Sequence, residues 1–132
     1  MPDIDIVQGR KCPYCGCKTK FVESSIIYGK SYGMVYHCLP CKAWVGVHSG
    51  TKKALGRLAN AELREYKKEA HRLFDELWKK KVSQGYSKHI SRSGAYKWLS
   101  EQMNIDPKYT HIGMFDVEQC KMVIELCKKY FK

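Results

Sequence analysis

Long apolar runs are missing from this 132-residue chain: nowhere does it hold the roughly 18 uninterrupted apolar residues of a membrane-spanning helix. Its opening residues, Met1-Pro2-Asp3-Ile4-Asp5, are acidic and carry no apolar stretch of the kind that directs secretion. The expectation is therefore a cytoplasmic protein without membrane contact. Proline is sparse, with four residues, and no internal repeat or biased tract is present, which excludes fibrous and low-complexity classes. Acidic residues are also in short supply, 13 against 24 lysines and arginines, so the formal net charge is +11. With 44% hydrophobic residues the chain can bury a modest core, and its length suits one domain or two very small modules sharing a core.

The positive charge is uneven. Residues 49–90 carry 11 basic and 5 acidic side chains, more imbalance than either flank. A surface of this sign attracts polyanions, although charge governs encounter rather than fold.

Seven cysteines carry the clearest chemistry. Four form two pairs, Cys12-Pro13-Tyr14-Cys15 and Cys38-Leu39-Pro40-Cys41, with two residues inside each pair and 22 between the pairs. Two intervening residues let a tight turn put both sulfurs on one edge of a tetrahedron at Zn–S distances of about 2.3 Å, and a second such turn closes it. Four thiolates saturate Zn²⁺, so the expected ion is one structural zinc with no open position for substrate. Gly16 suits the backbone after the first pair. Disulfides are the competing use of these cysteines, and a cytoplasmic chain disfavours them. Cys17 and His37 fall outside the paired spacing and are read as non-ligands. Cys120 and Cys127, seven apart, read as buried small apolar groups on one helix face.

Between and after the pairs, Lys20-Phe21-Val22-Glu23, Ser25-Ile26-Ile27-Tyr28, Gly33-Met34-Val35-Tyr36-His37 and Ala43-Trp44-Val45-Gly46-Val47-His48 read as short strands. A polar junction from Ser49 to Gly56 reads as a loop. Asn60 then caps a long helix over 61–82, in which Leu63, Tyr66, Ala70, Leu73, Phe74, Leu77 and Trp78 recur every three or four residues. Ser91 or Ser93 is expected to cap a second helix bearing Ala95, Trp98, Leu99 and Met103, ending before Asp106-Pro107. Asp116 with Gln119 resembles a capping box and opens a third helix, with Val117, Cys120, Val123, Ile124, Cys127 and Phe131 facing inward. The expected fold is α+β: a four-cysteine zinc ribbon of short antiparallel hairpins over residues 1–50, packed against a cluster of three helices over 51–132 and co-folded with it.

Several of these stretches also carry a resemblance. The two cysteine pairs, Val45-Gly46-Val47-His48 followed by Gly50-Thr51, Leu58-Ala59-Asn60-Ala61-Glu62-Leu63-Arg64, Ala70-His71 with Phe74-Asp75 and Leu77-Trp78, and His111-Ile112-Gly113-Met114-Phe115-Asp116 ending in Cys120 together resemble the zinc-finger-containing domain family of phage and bacterial proteins. The resemblance implies zinc on Cys12, Cys15, Cys38 and Cys41 and a bacterial or phage-infected cytoplasm. It implies no activity, and Lys79–His89 matches it least.

Three functional classes suit these features. In the first, the protein contacts DNA or RNA without sequence preference: Lys52, Lys53, Arg57, Lys79, Lys80, Lys81, Lys88 and Arg92 supply phosphate contacts, and Tyr28, Tyr32 and Trp44 stack on unpaired bases. In the second, the basic surface docks an acidic host protein, making the chain an adaptor or inhibitor. In the third, His48, His71 and His111 converge on a second, hydrolytic site, aided by Asn60, Asp75 and Asp116. Each of those six has a bland alternative as a cap, a solvated charge or a packing hydrogen-bonder.

Overall fold

The computed structural model describes residues 3–131. Two compact units partition the chain, one running to Arg64 and the other beginning at Glu65.

The first unit is built on a three-stranded antiparallel sheet in the order β1 (Lys20–Glu23), β2 (Met34–Cys38), β3 (Ala43–Gly46). Register pairs Phe21 with Tyr36 and Val22 with Val35 on one side of β2, and His37 with Trp44 and Cys38 with Ala43 on the other. A one-turn helix, α1 (Ile4–Val7), precedes the sheet, capped by the Asp3 carboxylate. The junction after β3 belongs to this unit, because isolated bridges Val47–Ala54 and Trp44–Ala59 fold it back along the β3 edge. Small residues fill the interior: Cys12, Cys38, Ala43, Val45 and Leu58 are buried, with Tyr36, Cys41 and Ala54 packed around them. So few apolar side chains stabilise a fold weakly, which leaves a large share to any metal bound.

One expected strand is absent. Ser25–Tyr28 forms a helical turn, α2, instead of pairing. The reason lies in its flanks: the Ser24 N–H donates to the Gly33 carbonyl at 2.8 Å and the Ser24 hydroxyl accepts from the Tyr32 N–H at 2.6 Å. β1 thus ends at Glu23, opposite Met34, and the β-branched pair Ile26-Ile27 is left in the connection, where strand propensity finds no partner.

The second unit contains most of α3 (Ala61–Ser83), with α4 (Lys88–Met103) and α5 (Val117–Tyr130). Asn60 caps α3 as expected, its side-chain oxygen accepting from the Leu63 N–H at 3.0 Å. Ala70, Leu73, Phe74 and Leu77 of α3 are buried, as are Leu99 of α4 and Cys120, Val123 and Cys127 of α5. Burial pushes the Cys127 thiol up to about 11, in keeping with an apolar role. Two 3₁₀ turns, Pro107–Tyr109 and Ile112–Met114, seat Ile112 and Phe115 in the same core. Asp116 and Gln119 complete the reciprocal capping box at the start of α5.

Two details differ from expectation. α4 starts earlier: Ser87, not Ser91 or Ser93, is its cap, accepting from the Ile90 N–H at 3.1 Å. Ser91 is carried into the helix and buried. Phe131 follows the end of α5 and is exposed, whereas Val117 and Ile124 are half-buried.

Candidate metal centre

Each cysteine pair sits on a turn whose backbone aims it. At the first, the Cys12 N–H donates to the Cys17 carbonyl and the Gly16 N–H to the Cys12 carbonyl, both at 2.9 Å. Reversing the chain this tightly needs a left-handed residue after the second cysteine, and Gly16 supplies it with φ of +77°. At the second pair, Lys42 occupies the same place with φ of +51°, its N–H donating to the Leu39 carbonyl. A side chain there works against the left-handed backbone, by about 1–2 kcal/mol for a non-glycine residue.

These turns bring four sulfurs together. The ligand atoms of Cys12, Cys15, Cys38 and Cys41 all lie within 4.8 Å of one another, and those of Cys15 and Cys38 are 3.7 Å apart. Sulfurs at the corners of a tetrahedron around zinc are separated by about 3.8 Å when Zn–S is about 2.3 Å. The cluster therefore has the size and the donor type of a closed zinc-thiolate site. Cys12 and Cys38 are buried, Cys41 is half-buried and Cys15 faces solvent, so the metal would sit at the edge of the unit's core. Sulfurs this close do not all ionise by themselves: desolvation first, then hydrogen bonds shared with Cys15, Cys38 and Cys12, pushes Cys41 up to about 12, and burial also raises Cys38. Cys15 moves the other way, to about 7, because the Cys17 N–H donates to its sulfur. A divalent cation supplies the missing positive charge and releases the protons.

The first turn is tied to the start of α3. The Tyr14 hydroxyl accepts a hydrogen bond from the Asn60 N–H at 3.1 Å, and burial raises its own ionisation above the usual phenol range. Leu58, fully buried, lies in the same cluster as Cys12 and Cys38. Metal loss would therefore reach the α3 cap as well as the ribbon.

A second feature of this unit is an aromatic array beside β2 and β3. Tyr28 meets Tyr32 edge-on at 5.5 Å between ring centroids and Trp44 at 5.3 Å. The Arg64 guanidinium lies over the Trp44 ring at 3.4 Å and also hydrogen-bonds the Trp44 and Ala59 carbonyls. Burial lowers the Arg64 pKa from its ordinary value. Tyr28 and Tyr32 remain 50% and 73% exposed, so their outer faces are available to a ligand. They line an open groove of about 730 Å³ with Trp44, Met34, Val47 and Lys52.

The sequence-derived site residues thus fall into separate groups. Tyr28, Tyr32, Trp44 and Lys52 share the groove; Lys53 is the next residue in the chain and is exposed, and Arg57 is half-buried further along the junction. Lys79, Lys80, Lys81, Lys88 and Arg92 are all exposed in the other unit. There Lys79 and Lys88 flank the Trp78 ring at 5.7 and 5.6 Å, Lys81 lies on Tyr86 and Arg92 on Tyr96. Arg64 escapes a reading of the sequence because its position on the polar face of α3 looks like any solvated helix charge. Its spacing from Trp44 becomes meaningful only through the Trp44–Ala59 bridge.

Among the described residues, the four cysteines are the one group of three or more Cys, His, Asp or Glu side chains placed to hold a metal. Cys17 and His37 lie outside it, as do His48, His71 and His111. His48 is exposed beyond β3, where its carbonyl accepts from Thr51; His71 is half-buried on α3; His111 packs against the Tyr96 ring at 5.3 Å. Asn60 and Asp116 act as helix caps, and Asp75 accepts from the Trp78 indole N–H at 2.8 Å. No described helix is long and apolar enough to cross a membrane.

Comparison with known proteins agrees with this geometry. The sequence model of the zinc-finger-containing domain family matches residues 8–130. No curated protein and no solved structure matches the chain. The match runs from before the first cysteine pair to the end of α5, so the chain belongs to the zinc-finger-containing domain family.

Proposed function

We propose that this protein is a nucleic-acid-binding module that holds unpaired bases of DNA or RNA against the aromatic groove of its zinc-stapled ribbon, without sequence preference. The observation that carries the reading is the meeting of Tyr28, Tyr32 and Trp44 at one open groove, with Tyr32 nearly three-quarters exposed. Every base has a flat face, so exposed rings bind single strands with little regard to sequence. The edge-on packing of Tyr28 against both neighbours holds the array in place, and Arg64 covers a face of the Trp44 ring.

Cations stand where phosphates would run. Lys52 lines the groove, Lys53 follows it, and the Lys30 ammonium lies 6.0 Å from the Tyr32 ring centre. Zinc takes no part in the contact in this reading; its four-sulfur shell leaves no open position, and it acts by fixing the end of β2 at Cys38 and the turn into β3 at Cys41.

The test is fluorescence anisotropy of a labelled oligothymidylate against the zinc-loaded chain, with a duplex of the same length as competitor. The single strand is expected to bind and the duplex to compete poorly. Equal affinity for both, or none for either at low salt, would overturn the proposal.

A further inference from the structure

The helical unit contains a cavity that neither the metal centre nor the ribbon groove uses. It has a volume of about 360 Å³ and lies among Leu77 and Lys81 of α3, Tyr86 of the connection, Ile90, Ser91, Gly94, Ala95 and Trp98 of α4, and Tyr130 of α5. Its walls are mostly carbon, and its volume is at the lower end of the roughly 300–1,000 Å³ typical of small-molecule sites.

Three features mark it as a binding site rather than a packing defect. Ser91 is 8% exposed, and its hydroxyl is the buried side-chain polar atom left without a hydrogen-bond partner among the described residues. Leaving a buried hydroxyl unsatisfied is unfavourable, and a ligand atom that bonds it recovers that cost. Second, α4 keeps a glycine in its interior. A Cβ on Gly94 would have nothing within 4 Å, so the fold imposes no steric need for glycine, and the helix forgoes the stability that alanine would bring. What Gly94 provides is room. Third, Tyr86 and Ile90 are left 56% and 66% exposed beside the cavity, and Trp98 meets Tyr130 edge-on at 5.8 Å.

The segment that supplies most of the cavity's walls is basic. Between Glu76 and Glu101 the chain has no acid and six cations, Lys79, Lys80, Lys81, Lys88, Arg92 and Lys97. Lys81 is the one charged group lining the cavity among the described residues. We propose that this cavity binds a small aromatic carboxylic acid, its ring among Trp98, Tyr86 and Tyr130, its charge matched by Lys81, and its polar atoms within reach of the Ser91 hydroxyl. Nucleobases are poor occupants, because their several donors and acceptors would lose water and find one hydroxyl and one ammonium in return. The site therefore stands apart from the ribbon reading and does not depend on it.

The experiment is an ¹H–¹⁵N correlation titration of the zinc-loaded full chain with naphthalene-1-acetate. Saturable shifts confined to Leu77–Lys81, Tyr86, Ile90–Trp98 with the Trp98 indole, and Tyr130 are expected, with a dissociation constant of about 1 mM or tighter for a ligand this small. Gly94→Leu, which fills the space, should abolish the shifts while the rest of the spectrum stays unchanged. Ser91→Ala should weaken binding about five-fold, and the neutral amide of the same acid should bind more weakly than the acid. Absence of saturable shifts, equal shifts in Gly94→Leu, equal binding of the amide, or displacement by adenosine monophosphate would each overturn the assignment. Should Gly94→Leu misfold, the amide and nucleotide arms on the wild-type chain still decide it.

Discussion

Replacing Tyr32 by alanine gives the sharpest reading of the ribbon groove. Tyr32 is 73% exposed and touches its neighbours chiefly through one edge contact with Tyr28, so its removal costs the fold little. Its loss from a complex should cost one base-stacking contact, about 1–3 kcal/mol, or roughly 5-fold to 150-fold in affinity. Tyr32→Phe keeps the ring face and should bind nearly as wild type. Lys52 lines the groove, Lys30 lies beside the Tyr32 ring and Lys53 follows Lys52 in the chain; with one phosphate neutralised by each, at about 0.7 counterions per phosphate on a single strand, the slope of log affinity against log salt should be about −2. Raising salt from about 50 to about 200 mM should then weaken binding about 20-fold. Anisotropy with a labelled oligothymidylate, repeated at several salt concentrations, measures both quantities. Unchanged affinity in Tyr32→Ala together with a flat salt response would refute the reasoning, and a steep slope with Tyr32→Ala unaffected would place the contact on another basic surface.

Three further outcomes are expected. Changing Lys79, Lys80 and Lys81 together to Glu should weaken oligonucleotide binding if the end of α3 contributes phosphate contacts, whereas unchanged affinity would assign those lysines to the helix end and to shielding Trp78. The two cysteine turns should respond oppositely to glycine: Gly16→Ala should lower stability by about 1–2 kcal/mol, and Lys42→Gly should leave it unchanged or raise it, as followed by thermal melting of the zinc-loaded chain. His71 has its pKa lowered from 6.5 by burial first, with Lys67 and Arg92 adding to the effect and Asp75 opposing it. The unfolded chain therefore takes up this proton first as pH falls, so the stability due to neutral His71 is present above about pH 6.5 and is lost as pH drops through the lowered folded value. The melting temperature should fall between about pH 7 and pH 5, and His71→Gln should flatten that decline; an identical decline in the variant would assign it to other groups.

What the amino-acid order disclosed depended on how local the determinant was. The cysteine spacing is a complete description of two metal-binding turns, because both sulfurs and the reversal between them lie within a few residues. The Asn60 cap and the Asp116–Gln119 box were legible for the same reason. The α3 stripe was legible because seven apolar residues hold one period over several turns. Determinants from elsewhere in the chain were hidden. Ile26 and Ile27 have strand propensity, yet Ser24 turns the chain away first through contacts with Tyr32 and Gly33. Ser87, Ser91 and Ser93 are equally good caps in isolation; the turn closing α3, with the Tyr86 N–H on the Lys81 carbonyl, selects Ser87. The left-handed Lys42 has no sequence signal, since lysine, unlike the glycine at the first turn, has no preference for positive φ.

Metal content is the most direct test of the central claim, that four cysteine sulfurs hold one structural zinc on which the ribbon depends. Native mass spectrometry of the full chain should show one zinc per molecule. Cys12→Ser or Cys38→Ser should lose the ion and the cooperative melting of the ribbon, while Cys17→Ser and Cys120→Ser keep both. A Cys12 or Cys38 variant that retains its full zinc and its melting transition would contradict the account.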